Sequence, residues 1–284
     1  MYDAKILADS IAPNGSRLTT LEVTFPRFIL AEVNTHRVFS RNSASSRAIP
    51  FRKQVKMIEE HPFVPESWPT EQKGMSGGEP LEGITATMAE DEWMRAMEEA
   101  IRHATRLSER GVHKSLANRL IEPFMWHKSI ISSTEWANYW ELRTALDAQP
   151  EFRKLAVKMQ HAWHLSEPKE LPPGEAHLPL IFDDDREMHK ESELILISAG
   201  RCARVSYLTH DGVRDPQKDI ELAERLTKNK HMSPTEHQAL VSPFPLFSGV
   251  YESNFSSPWV QYRKLIEEGN LFEGLQNLSE KTAA

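Results

Sequence analysis

Residues 18–33 (LTTLEVTFPRFILAEV) open with β-branched alternation and continue as an apolar run across Pro26. This predicts a strand, a short break and a buried segment. A helix is expected around Phe51 to Glu59, followed by a long loop over 61–83, where Pro and Gly cluster around Trp68 and Gly74. Trp93, Met97, Ile101, Ala104 and Leu107 recur at helical spacing within 88–110, with Gly111 as the stop. A second helix over Lys114 to Ile121 would carry Leu116 and Leu120 with Arg119 beside them and end near Pro123.

The stretch Ser132-Ser133-Thr134-Glu135 has the spacing of a capping box, so a helix is expected to start there and carry WANYWELR. On it Trp136, Trp140 and Arg143 fall at i, i+4 and i+7, which would lay the guanidinium on an aromatic face. Pro150 suits the first turn of the next helix, striped by Phe152, Leu155, Met159 and Trp163. Residues 166–180 lose all periodicity and are rich in Pro and Gly, which makes them the expected linker between 1–165 and 181–284. Beyond it, LILISAGRCARVSY reads as a helix or strand entering a core, and Asp215-Pro216 opens a helix with Ile220, Ala223 and Leu226 inward. Ser233-Pro234-Thr235-Glu236 has the form of another cap, with Ser233 at the N-cap. More helix than strand gives a helix-rich α+β class, an antiparallel or mixed sheet flanked by helices.

Composition narrows the function classes. The 284 residues have 39% hydrophobic and 26% charged content, ordinary for a globular protein. No apolar run approaches the roughly 18–20 residues of a spanning helix, and Met1-Tyr2-Asp3-Ala4-Lys5 does not begin a secretory signal, so the expected location is cytoplasmic, with no membrane partner. A net charge of -7 offers no general attraction to a nucleic acid polymer, so an anionic ligand needs a local cationic site. Residues 33–58 provide one: they contain no Asp or Glu but hold Arg37, Arg41, Arg47, Arg52, Lys53 and Lys56.

Inside that stretch, His36 to Arg47 interleaves small residues, hydroxyls and guanidiniums, a mixture suited to a phosphorylated small molecule, or else a solvated basic loop. Arg119 and Arg143, set among apolar helix residues, need anionic partners, either a ligand or a structural carboxylate such as Glu122 or Asp147. His161, His164, His231 and His237 lack zinc-motif spacing, and no metal is expected. Cys202 stands between Arg201 and Arg204, either activated by them or packed in the core.

These motifs together resemble the flavin-dependent thymidylate synthases. The family signature is Arg-His-Arg, seven residues, Ser, and Arg two further on; here Thr35-His36-Arg37, Ser45 and Arg47 reproduce it with Thr35 in place of the first Arg, and Asn42 also matches. LANRLIEP resembles the segment whose Arg grips the substrate phosphate, which falls on Arg119. SSTEWANYWELRTALDAQPEFRKLA resembles the segment whose Arg contacts the uracil ring, which falls on Arg143, with Asn138 at a flavin position. CARVSY (202–207) and HMSPTEH (231–237) resemble two further family motifs that usually precede the signature. Here they follow it, so the chain resembles a circularly permuted member, and termini that lie close together allow such permutation.

The resemblance implies FAD-dependent reductive methylation of dUMP to dTMP, with methylenetetrahydrofolate as carbon donor and NADPH as reductant. It places Arg143 and Ser45 in catalysis and Glu32, Thr35, Ser43, Ser45, Ser46, Arg47, Arg119 and Arg143 around the nucleotide. His36, Arg37, Val38, Ser132, Thr134, Asn138, Ser206 and Ser233 fall at flavin positions. It makes 1–165 the nucleotide-binding region and 181–284 the flavin-binding segment of one catalytic fold, in a homotetramer with shared active sites. Glu32, Thr35 and Ser43 depart from the family's Gln, Arg and Glu, which leaves open a related modification, such as hydroxymethylation or methylation of another pyrimidine nucleotide. A non-catalytic nucleotide-binding homologue is the third reading.

Overall fold

The computed structural model describes residues 1–205, 214–243 and 253–267. Its main sheet has the strand order β3-β4-β2-β1-β5, built from β1 (Asp3–Ile11), β2 (Arg17–Pro26), β3 (Ser40–Ser43), β4 (Trp126–Ser133) and β5 (Lys169–Glu170). All neighbours pair antiparallel except β1 with β5, so the sheet is mixed. A second, antiparallel sheet joins β6 (Ala176–His177), β7 (Ala239–Val241) and β8 (Trp259–Gln261). With the helices around them, the class is α+β.

Strand alternation sends the two sets of β2 side chains to opposite faces. Leu21, Val23 and Phe25 share one core with Trp136 and Tyr139 near α5 (Ala137–Thr144) and with Phe152, Leu155 and Met159 of α6 (Pro150–Leu165). Leu18 joins a different cluster with Ala239, Val241 and Trp259 of the second sheet, while Ile130 of β4 meets Cys202 of α8 (Glu191–Ala203). The main sheet is therefore covered on one side by α5 and α6 and on the other by C-terminal elements. Residues 166–180 carry both β5 and β6, each paired to a different sheet.

Local signals in the sequence account for several elements. A short turn, Arg27–Ile29, and α1 (Leu30–Val33) follow Pro26, and α2 spans Phe51–Glu60. The helix α3 runs over Gly83–Glu109, five residues longer at its start than the stripe from 88 predicts, and stops at Gly111, whose φ of 82° suits glycine. Residues 61–82 pack against it: Trp93 Nε1 donates to the Phe63 carbonyl at 3.0 Å, and Pro69 bridges Pro80. After α7 (Asp183–Met188) and α8, the helix α9 (Pro216–Lys228) begins at Asp215, whose carboxylate accepts from the Lys218 N–H, and α10 covers Tyr262–Glu267.

Three expectations are corrected. The helix from Lys114 is α4 (Lys114–Ala117) only; Asn118–Phe124 tightens to 3-10 geometry around Pro123, which has no N–H to donate. Ser132 caps no helix, because β4 runs through Ser133 and α5 begins only after Trp136. Ser233 is likewise not an N-cap: it lies in a single 3-10 turn, Ser233–Glu236, that follows Met232. In both places tertiary pairing overrides the local pattern.

The contact between α8 and α9 depends on Gly200, where an added Cβ would stand 2.2 Å from the Asp219 carbonyl oxygen and 2.7 Å from its carbon. Backbone cannot yield as a flexible side chain does. Gly200→Ala is expected to destabilise the fold by about 1–3 kcal/mol, as overpacking does. A urea midpoint equal to that of the parent protein would contradict this. Among the described residues, no helix is long and apolar enough to cross a membrane.

Candidate functional site

The part of the cationic stretch from His36 to Arg47 follows α1, enters β3 and leaves it as the turn that precedes α2. Two polar groups form at its ends. At the first, Arg143 on α5 donates from Nε to His36 Nε2 at 2.9 Å and from a terminal nitrogen to Thr35 Oγ1 at 3.5 Å. Thr35 Oγ1 in turn donates to the Glu32 carbonyl at 2.7 Å. Because His36 Nε2 accepts, the imidazole carries its proton on Nδ1 and is neutral. Burial, then the charges of Arg143 and Arg41, push its pKa down to about 4.

The His36 ring stacks near Phe39 at 5.6 Å and meets Tyr139 edge-on at 4.9 Å. The Arg143 guanidinium lies 4.4 Å over Phe152. This corrects the expected aromatic partner: Trp136 and Trp140 stack on each other at 5.0 Å, and α6 brings Phe152 to Arg143 instead. Glu32 Oε2 and Trp140 Nε1 are enclosed without a hydrogen-bond partner among the described residues. Arg37 and Val38 are exposed beside this group.

The second group centres on Glu122. Its Oε1 accepts from Ser46 Oγ at 2.6 Å, from Arg119 at 2.9 Å and from Arg27 at 3.2 Å. Asn118 fixes the turn below, donating to the carbonyls of Ser46 at 2.6 Å and Ile49 at 3.1 Å. Arg119 is not embedded in apolar surface as expected. The tight turn leaves its side chain half exposed, and Leu116 beside it is 63% exposed. Arg47 is exposed, and no hydrogen bond or ion pair engages its guanidinium among the described residues.

Other predicted positions divide by surroundings. Ser43 Oγ bonds Ser129 Oγ at 3.0 Å, and Asn42 donates to the Cys202 carbonyl at 2.5 Å, tying β3 to α8. Ser45 is half-buried at the start of the turn that reaches Ala48. Ser132 is fully buried between Thr20 Oγ1 at 2.6 Å and His237 Nδ1 at 2.8 Å. Thr134 Oγ1 donates to Ser256 Oγ at 3.1 Å, while Asn138 and Ser233 face solvent. Ser206 lies outside the described residues. Cys202 is fully buried, and burial pushes its thiol up to about 12, which settles for packing over activation.

Within one copy the arginines thus meet the cationic stretch at two places, Arg143 at His36 and Arg119 through Glu122 beside Ser46 and Arg47. No hydrogen bond or ion pair joins the two groups among the described residues. Arg27 joins the second group without any signal in the sequence. Its position after Pro26 gave no cue that β2 would deliver it to a carboxylate 95 residues away.

A model of the family described as thymidylate synthase complementing protein matches residues 18–168. No curated protein matches the chain. Among solved structures, the chain is similar to a UMP/dUMP methylase, PolB, from Streptomyces cacaoi. In the form bound with 5-Br dUMP the identity is 20%, the TM-score 0.43, and the match covers 52% of this chain and 65% of that one, just under two thirds. In the form bound with 5-Br UMP the identity is 17%, the TM-score 0.47, and the coverage 57% and 88%.

Proposed function

The chain belongs to the thymidylate synthase complementing protein family, which is flavin-dependent, and on that premise we propose that it methylates dUMP to dTMP with FAD, methylenetetrahydrofolate and NADPH. The observation that carries this reading is that the single stretch from His36 to Arg47 meets Arg143 at one end and Arg119, through Glu122, at the other.

The residues present fit a nucleotide and a flavin. Among the described residues, Arg47 has no hydrogen bond or ion pair to its guanidinium, Ser46 and Arg119 lie around one carboxylate, and Trp140 Nε1 and Glu32 Oε2 are unpaired polar atoms. In the proposed site Ser46, Arg47 and Arg119 take the phosphate, and Arg143 faces the pyrimidine. His36, Arg37, Val38, Thr134, Asn138 and Ser233 are assigned to the flavin side, whereas Ser132, expected there, is buried with its hydroxyl held by Thr20 and His237. When bound, FAD supplies hydride transfer, which amino-acid side chains do not provide. Neutral His36 receives the Arg143 Nε–H and so fixes the guanidinium without repelling it. The fixed cation then stabilises negative charge on the pyrimidine as it develops. With its thiol pushed up to about 12, Cys202 is unsuited to act as nucleophile.

The motifs at 202–207 and 231–237 fall beyond the matched span, and the turn Ser233–Glu236 packs on β3. This supports a permuted order in which C-terminal elements complete the site. Two separate arginine groups in one copy support sites shared between subunits, as in a homotetramer. A cytoplasmic setting fits these small-molecule partners.

The unpaired Glu32 carboxylate oxygen favours a second reading, a related pyrimidine nucleotide with an amino or hydroxyl donor. Incubation with dUMP, methylenetetrahydrofolate and NADPH, followed by product mass, separates the two. One added methylene supports the first. A hydroxymethyl gain, or reaction with dCMP and none with dUMP, supports the second. A protein that cannot be loaded with FAD would be a non-catalytic homologue. Arg47→Ala is expected to weaken dUMP binding by about 2 kcal/mol, roughly thirtyfold, with folding unchanged. Calorimetric titration with equal affinity for both proteins would remove Arg47 from the phosphate site.

A further inference from the structure

Five buried side chains from distant parts of the sequence form one unbranched hydrogen-bonded line through the layer between the two sheets. Ser10 Oγ meets His177 Nδ1 at 2.8 Å, and His177 Nε2 meets Thr20 Oγ1 at 2.8 Å. Thr20 Oγ1 meets Ser132 Oγ at 2.6 Å, and Ser132 Oγ meets His237 Nδ1 at 2.8 Å. The far nitrogen, His237 Nε2, is enclosed without a partner among the described residues. Thr20, Ser132, His177 and His237 are fully buried, and Ser10 nearly so.

Each hydroxyl has one proton to give, and each neutral imidazole has one donor and one acceptor nitrogen. Burial pushes both histidines down to about 3, so both are neutral at pH 7. Only two arrangements then satisfy every contact. In one, protons point from Ser10 toward His237, and both histidines carry hydrogen on Nε2. In the other they point from His237 toward Ser10, and both carry hydrogen on Nδ1. A mixed pair would leave either a hydroxyl hydrogen without an acceptor or two oxygens 2.6 Å apart with no proton between them.

The geometry points to a hydrogen-bonded relay in which Ser10, His177, Thr20, Ser132 and His237 change polarity together. The line lies behind the cationic stretch. His237 ends the turn that packs on β3, and the Ser132 backbone pairs with Ser40 at the start of β3. Passing from the first arrangement to the second transfers the proton on His237 Nε2 to a water molecule or ligand base that reaches that nitrogen, since no described side chain accepts it. The hydroxyl proton of Ser132 moves to His237 Nδ1, that of Thr20 to Ser132, and that on His177 Nε2 to Thr20. The Ser10 proton moves to His177 Nδ1, and Ser10 recovers one from water. One proton enters and one leaves, with no change in charge. A buried N–H without an acceptor is rarer than a lone pair without a donor, so the ligand-free protein is assigned the Nδ1–H arrangement. The inference rests on the buried line itself and does not depend on which nucleotide the site takes.

The test is the tautomer of each histidine, read by long-range proton–nitrogen NMR on isotope-labelled protein at pH 7 without ligand. His177 and His237 are both expected as Nδ1–H. In Thr20→Val, the Ser132 hydroxyl loses its acceptor and must donate to His237, which is expected to switch to Nε2–H although it does not touch residue 20. Thr20→Ser, which keeps the hydroxyl, is expected to retain the parent pattern. Opposite tautomers in the parent protein, an imidazolium at either position, or an unchanged His237 in folded Thr20→Val would overturn the relay. The comparison within the parent protein decides the matter even if the valine variant does not fold.

Discussion

Replacing Arg201 by alanine is expected to destabilise the protein by about 3–5 kcal/mol, the usual consequence of removing one side of a buried ion pair. Arg201 is 1% exposed and donates to Asp185 at 2.5 and 2.8 Å, to Asp219 at 3.1 Å and to the Leu180 carbonyl at 2.6 Å. Without it, among the described residues, Asp185 keeps no cation of comparable depth and Asp219 keeps only Arg204 at 3.2 Å. Leu180 holds a left-handed φ of 62°, costly for a branched side chain, and would lose the bond that secures its carbonyl. The loss should fall on the union of α7, α8 and α9, since these helices supply the charges. The triple replacement Arg201→Met, Asp185→Leu and Asp219→Leu removes the charges together and is expected to be far milder than Arg201→Ala alone. Urea denaturation of both proteins checks this. A cost below about 1 kcal/mol for Arg201→Ala would show that water or rearrangement replaces the guanidinium.

Acid is expected to unfold the protein at an unusually mild pH. Burial holds His127, His177 and His237 at about 3, with Arg27 adding to the effect on His127 and His177 to that on His237. His36 lies at about 4. All four are depressed below the ordinary 6.5, so the unfolded chain takes up protons that the folded one refuses. Their contribution is complete above about 6.5 and declines as pH falls toward 3–4. At pH 5 each histidine has surrendered roughly 2 kcal/mol, and four together approach the whole stability of a typical domain, about 5–15 kcal/mol. Burial raises the carboxyls of Glu151 and Glu191, which act in the opposite sense and offset part of the loss. Urea midpoints at pH 7.5 and 5.0 measure the balance. Equal midpoints at the two pH values would overturn this expectation.

Much of the framework was legible because its causes are local. The alternation in Leu21, Val23 and Phe25, Pro150 at the head of α6, the Asp215 cap and Gly111 after α3 each act within a turn or a strand, so neighbouring letters suffice. The cationic character of 33–58 is equally a property of adjacent residues. The matched motifs identified the family, although the same letters left open how they meet in space.

Where local preference and distant pairing competed, the sequence alone misled. Ser132-Ser133-Thr134-Glu135 has the letters of a helix cap, yet Ser132 pairs through its backbone with Thr20 and Ser40 and spends its hydroxyl on Thr20 and His237. Arg143 follows two tryptophans at helical spacing, yet α6 supplies Phe152 and the turn after α1 supplies His36. The chemistry of the side chains, their number and their local order were determined by the sequence itself. Which acceptor each arginine found, and that two histidines 60 residues apart became members of one buried line, only the tertiary structure decided. Burial removes water as an alternative partner, so a polar group must take whatever the packing of remote elements brings within reach.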